Sequence, residues 1–159
     1  MQERGFSLIE LLIVVAIILV IAAIAIPSYL HSKIQANEAS AVYSIRTVNT
    51  AQVTYATTYP TIGYAPALNI LAAPMDGGPV SSSNAGVLDW VLGCANQPCP
   101  KSGYSFVIYN TSGSPINAYS VSGVPLSVGI TGTRGFCSDN MNPVMVDPNG
   151  GSNCTEPLE

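Results

Sequence analysis

Charged side chains are scarce in this sequence. Only 9% of its 159 residues are charged, whereas a typical soluble domain has about 25%. The hydrophobic share is 48% and the mean hydropathy is +0.36. The apolar residues crowd into the first quarter, and the remainder is rich in Gly, Ser, Asn, Thr and Pro. This distribution excludes an evenly patterned soluble domain and indicates a segment that lies in lipid or buries a large apolar face.

Cations are especially few, and the formal net charge is −4. Non-specific binding of DNA or RNA requires several cations aimed at phosphates. The basic residues are dispersed and form no run, so the single chain offers no evident nucleic-acid patch. They are Arg4, Lys33, Arg46, Lys101 and Arg134.

Catalytic motifs are also missing. The one histidine, His31, has no acid or nucleophile motif beside it, and the chain contains no G-x-S-x-G, H-E-x-x-H or phosphate-binding glycine motif. The Asx-rich stretch 147–153 lacks the alternating ligands and final Glu of an EF-hand loop. We therefore predict that the protein is not an enzyme and has neither a cofactor nor a metal site.

Four cysteines lie in the C-terminal half. An even count near an export segment indicates two disulfides in an oxidising compartment. Three pairings are possible, and we favour the local one, Cys94–Cys99 with Cys137–Cys154. Closing a loop of about 15 residues contributes roughly 3 kcal/mol in the chain-entropy model. Zinc is the alternative, but Cys137 and Cys154 do not form a second close ligand pair.

The apolar residues concentrate between Phe6 and Ile26. As a helix this segment would be about 31 Å long, enough to cross the hydrocarbon core of a bilayer. It is apolar on every face, unlike a surface helix. Pro27 follows, and we expect it to kink the helix without necessarily ending it.

Glu10 is the one charged residue in this apolar run. A carboxylate near a bilayer costs a few kcal/mol unless it is paired or neutralised. It could simply be interfacial. If the chain were cut between Gly5 and Phe6, the new α-amino group would lie about one helical turn away. A neighbouring helix, shifted along the axis, could then place its own amine against the Glu10 carboxylate and align the subunits.

The segment from Arg4 to Ile13, RGFSLIELLI, strongly resembles the class III signal and N-methylation motif of type IV prepilins and pseudopilins. The resemblance implies that a prepilin peptidase cuts after Gly5 and methylates Phe6. It also makes Glu10 the assembly glutamate and Pro27 the kink proline. The close similarity extends to about Tyr29.

These observations predict a chain divided into a leader (1–5), a membrane or filament-core helix (6–27), an amphipathic continuation (28–57) and a globular head (58–159). We expect one helix from about Ser7 to about Ala56. Its continuation should pack one apolar face on the head, and polar residues should cover the other faces. The apolar face comprises Leu30, Ile34, Ala41, Ile45 and Val48, and the polar residues are Lys33, Gln35, Asn37, Glu38, Arg46 and Asn49.

The head is expected to contain an antiparallel sheet of three or four strands, so the fold class is α+β. The segment Val87–Leu92 is predicted to be a helical turn or short strand that anchors an irregular loop region, 61–100, through Trp90. In the resembling family, Cys137 and Cys154 would bracket the D-region. The predicted strands are Tyr104–Tyr109, Asn117–Val121, Gly135–Ser138 and Val144–Val146.

The resemblance implies a type IV pilus subunit, most like a type IVa major pilin, that forms a helical homopolymer for adhesion, motility, DNA uptake or surface contact. Its other partners would be the prepilin peptidase, the pilus assembly machinery and the inner membrane that holds the precursor before export into the extracellular pilus. One alternative is a pseudopilin of a type II secretion system. Another is a soluble secreted binding module cut after Ala25.

Overall fold

The computed structural model describes residues 6–141 and 143–158. One long helix, α1, extends over Leu8–Thr58 and passes through Pro27. Because proline lacks an N–H, the carbonyl of Ala23 loses its helical partner, yet the helix continues. The helix extends two residues beyond the predicted end at Ala56. The hydroxyls of Thr57 and Thr58 both donate to the carbonyl of Thr54, at 2.9 and 2.8 Å.

The chain divides into two compact units, and the boundary falls within α1. The first extends to Lys33 and the second starts at Ile34. The second unit contains the head, where α1 supplies one layer and a sheet supplies the other. The fold is therefore α+β, as predicted.

The sheet has six antiparallel strands, and each pairs with the next along the chain. The strands are β1 (Cys99–Lys101), β2 (Tyr104–Gly113), β3 (Ile116–Pro125), β4 (Gly135–Asp139), β5 (Met145–Asp147) and β6 (Glu156–Pro157).

The sequence prediction underestimated the sheet in two ways. First, β2 and β3 are longer than the predicted strands Tyr104–Tyr109 and Asn117–Val121. Ser112 and Gly113 pair with Ala118 and Ile116 after a register shift. Second, β1 and β6 were not predicted. Both are short strands containing proline at the two sheet edges, and such strands carry no alternating apolar pattern.

The head core lies between α1 and the inner face of the sheet. Strand β2 contributes alternate residues, as a half-buried strand does. Helix α1 contributes residues spaced by three or four positions. The core-forming residues of these two layers are Ala41, Ile45, Val48, Ala51 and Tyr55 from α1, and Cys99, Tyr104, Phe106, Ile108, Tyr119, Val121, Phe136 and Val146 from the sheet.

The region before β1 contains a short helix, α2 (Leu68–Leu71), within the segment predicted to be irregular. Its two leucines are buried. The prediction that Trp90 anchors this region is wrong, because Trp90 is 47% exposed, whereas Leu88 and Leu92 are buried. Two leucines four residues apart, bridging a turn, therefore anchor the segment.

Candidate assembly site

The predicted processing and assembly residues lie at the start of α1. Gly5, with the leader, falls outside the described residues, and Phe6 is exposed. The Ser7 backbone N–H donates to Oε2 of Glu10 at 3.0 Å. This carboxylate lies in the first helical turn, where the exposed N–H groups and the helix dipole favour negative charge. Within one chain, Glu10 therefore acts as a helix cap.

The side chains of the apolar part of α1 are exposed along its length. Every residue from Phe6 to Lys33 is exposed except Ala22, which is half-buried. The helix is long and apolar enough to cross a membrane, by length and composition. Pro27 lies inside the helix and 17 residues after Glu10, so the predicted assembly residues do not form one cluster within the chain.

A second polar arrangement, missed by the sequence analysis, joins α1 to the loop between β3 and β4, residues 126–134. Glu38 was predicted to lie on a polar face, but it is only 6% exposed. Its Oε1 accepts from the Thr133 N–H at 2.9 Å and from the Thr133 hydroxyl at 2.6 Å. Its Oε2 accepts from Nε and Nη2 of Arg134 at 2.9 and 2.8 Å. We call these three residues the Glu38 clamp.

The clamp keeps the Glu38 carboxyl ionised. Burial raises its pKa, but the hydrogen bonds from Thr133 and Arg134 together outweigh burial and leave the pKa below its ordinary value. The Arg134 side chain is 47% exposed, so its guanidinium reaches both water and the carboxylate. Tyr104 supports the same loop, because its hydroxyl donates to the Arg134 carbonyl at 2.8 Å.

Asn49 is the second correction to the predicted polar face, since it too is buried. Its Nδ2 donates to the Ser138 hydroxyl at 2.8 Å, and its Oδ1 accepts from the Tyr119 hydroxyl at 3.0 Å. This side chain therefore links α1 to β3 and β4. Burial raises the pKa of Tyr119, with Tyr64 and Asp139 adding to it. The phenol therefore stays protonated and acts as the donor.

The positions of Glu38 and Asn49 relative to the apolar residues of α1 already indicated that both side chains are buried. Glu38 precedes Ala41 by three residues and Ile45 by seven, and Asn49 follows Ile45 by four. These offsets place both polar residues on the apolar face. Conversely, Leu30 was predicted on this face but is 51% exposed. It lies before Ile34, where the second unit begins.

The structure has two disulfides, Cys94–Cys99 and Cys137–Cys154, with Cα separations of 5.6 and 5.9 Å. This is the local pairing that the sequence analysis favoured. Among the residues that the structure describes, no group of three His, Cys, Asp or Glu side chains could hold a metal ion.

Comparison with known proteins identifies the N-terminal segment. Residues 1–26 match the family model of the prokaryotic N-terminal methylation motif. The chain is also 43% identical over 54 residues to the type IV major pilin protein PilA of Myxococcus xanthus (strain DK1622). This stretch covers 34% of the chain and 24% of the relative, so the match spans about a quarter of the curated relative's length. No solved structure matches the chain significantly.

Proposed function

We infer that this type IV pilin-like chain is the structural subunit of a type IV pilus filament. The proposal is that peptidase cleavage between Gly5 and Phe6, with methylation of Phe6, produces the mature subunit. The apolar helix first holds it in the inner membrane. The assembly machinery then transfers it into a helical homopolymer outside the cell. Such a filament could serve adhesion, motility, DNA uptake or surface contact.

The observation that carries this proposal is an uncovered apolar helix joined to a folded head. Burying one large aliphatic side chain contributes about 1.5–3 kcal/mol, and those of α1 are exposed from Leu8 to Leu30. Lipid can cover them in the membrane. In a filament, only helices of other copies offer a comparable apolar surface, and close helix–helix packing replaces the lipid contacts.

Glu10 would give this packing its register. In one chain its Oε2 accepts from Ser7, and the helix around it is exposed. Among apolar helices, a carboxylate needs a cation. The α-amino group of a neighbouring Phe6 would meet that need. Because the charge is costly when unpaired, the ion pair would favour one axial stagger over others.

Intact-mass and N-terminal peptide mass spectrometry on protein from the native host tests the processing step. A chain that begins at N-methylated Phe6 is expected. A chain that begins near Ile26 would instead support the soluble secreted module and overturn the proposal.

Substitution at the cleavage site provides a second test. Gly5→Leu should leave protein of precursor mass in the membrane, because the branched side chain replaces the small residue before the cut. Gln2→Ala, in the same leader, serves as the matched control and should be processed. Mature-sized protein from Gly5→Leu would refute the cleavage site.

Electron microscopy of the cell surface addresses the pseudopilin alternative. The Myxococcus xanthus relative is a major pilin, which favours an abundant filament built mainly from this chain. Filaments labelled along their whole length by an antibody against the head are expected. A mature, methylated chain without such filaments would favour the secretion-system role.

A further inference from the structure

The β3–β4 loop exposes three aliphatic side chains within five residues. Leu126 is 60% exposed, Val128 57% and Ile130 70%. Scattered apolar residues are normal on protein surfaces, whereas grouped ones mark interaction sites. The segment 120–133 also contains no charged residue. This loop therefore combines exposed aliphatic surface with an absence of charge.

The loop is held in one conformation by its own hydrogen bonds. The N–H groups of Ile130 and Thr131 both donate to the Ser127 carbonyl, at 3.1 and 2.9 Å. Gly129 donates to the Gly132 carbonyl at 2.8 Å and has a φ of +82°, which favours glycine. A loop that is already ordered loses little entropy when it binds.

The loop is also fastened to α1. Nδ2 of Asn37 donates to the Thr131 carbonyl at 2.8 Å, and the Glu38 clamp holds Thr133 and Arg134. These bonds place the loop beside the first turns of α1 in the second unit, which begins at Ile34. Along the chain, these turns directly follow the exposed apolar segment.

We propose that the aliphatic side chains of the β3–β4 loop contact a second copy of this chain, packing on its α1 between Leu11 and Ile26. This inference rests on the proposed function, because it assumes that copies assemble side by side. It adds a head contact to the helix bundle.

Two properties, the absence of charge and the exposed aliphatic area, make the apolar helix of a second copy the proposed partner surface. The segment Leu11–Ile26 contains no charged side chain, and its large aliphatic residues are exposed. Glu10 and Lys33 flank the charge-free stretch. Other exposed apolar side chains of the head, such as Met75 and Trp90, lie in separate loops and offer less aliphatic surface in one place. The apolar helix is therefore the matching surface within this chain.

Site-specific photo-cross-linking tests the contact. A benzophenone amino acid is placed at Ile130 in the full chain, expressed in the native host, and isolated filaments are irradiated. Cross-linked peptides are identified by mass spectrometry. Met75, 66% exposed in another loop, is the matched control position. We expect Ile130 to cross-link to residues 11–26 of another copy and Met75 not to do so.

Substitution measures the strength of the contact. The double variant Leu126→Ser with Ile130→Ser should reduce the filament fraction at least about tenfold, since two aliphatic side chains lose their buried partners. Met75→Ser should leave it within about twofold. Both changes are at exposed positions, and intact-mass measurement of both disulfides checks that the head has folded.

The outcomes separate this inference from the proposed function. Normal filaments in which Ile130 cross-links only to lipid, to another protein or to nothing would overturn the loop contact alone. A wild-type chain that never enters filaments would overturn the proposed function together with this contact. Cross-links to residues 11–26 combined with loss of filaments in the double variant would establish the contact.

Discussion

Residues 8–33 and 34–58 belong to one helix, α1, but the two parts differ in how far their side chains are buried. The first part is apolar and almost wholly exposed. The second part buries an aliphatic stripe together with Glu38, Asn49 and Gln52, which all find partners inside the head. The same backbone geometry therefore serves two purposes. Under the proposed function, lipid or other copies would cover the first part, whereas the second part packs within the head.

The largest effect is expected at the start of the exposed part. Glu10→Leu should leave the subunit in the membrane and abolish filaments, because the proposed partner amine loses its carboxylate. Glu10→Gln sharpens the test, since its carbonyl oxygen can still accept from Ser7 while the charge is gone. Fractionation into membrane and sheared filaments gives the readout. Abundant filaments from Glu10→Gln would show that capping, not charge, is what assembly requires.

The buried part depends on the Glu38 clamp. Glu38→Ala should lower the free energy of unfolding by about 2 kcal/mol, because Thr133 loses its acceptor while the half-exposed Arg134 can rehydrate. Urea unfolding of the full chain in detergent, followed by the fluorescence of its single tryptophan, measures this change. Glu156→Gln, an exposed carboxylate in β6, is the matched control and should change stability little.

The clamp also predicts a pH dependence. In the folded protein the pKa of Glu38 is below its ordinary value. The ionised carboxylate therefore stabilises the fold fully at any pH above that ordinary pKa. The contribution is lost as the pH falls through the folded pKa. The stability difference between wild type and Glu38→Gln should therefore be full near neutral pH and shrink in acid. A difference that stayed constant from neutral pH to strongly acidic conditions would contradict this assignment.

A smaller loss is expected from Asn49→Ala, about 1–1.5 kcal/mol, because the Tyr119 and Ser138 hydroxyls lose a neutral buried partner. Tyr119→Phe tests whether the residues act together. In the Asn49→Ala background it should cost less than it does alone, as a double-mutant cycle would reveal. If the stability losses of Asn49→Ala and Tyr119→Phe were additive, the hydrogen bond between these two side chains would contribute little to stability.

The smallest effect is expected at the surface. Lys101 donates to Asp89 at 3.3 Å, and the Asp89 side chain is about half exposed. Lys101→Ala should therefore cost less than about 1 kcal/mol and lose even that at high salt. A loss as large as that of Glu38→Ala would contradict the contrast between surface and buried charge pairs.

Much of the architecture could be predicted from local pattern. The long apolar segment, the methylation motif, the approximate helix end and the central strands are visible because each depends on neighbouring residues. The edge strands β1 and β6 were missed, since their pairing depends on the strands beside them. Trp90 does not anchor its segment, because the turn buries Leu88 and Leu92 instead.

The local amino-acid pattern was enough to predict that the first part of α1 is an apolar helix with one carboxylate near its start, because composition and helical period require no distant partner. The hydrogen-bond partners of Glu38 and Asn49, in contrast, are apparent only from the folded structure. Their partners, Arg134 and Ser138, lie 96 and 89 residues away along the chain. A polar residue on an apolar stripe is acceptable only where the fold supplies such a partner, and chain folding alone brings these groups together.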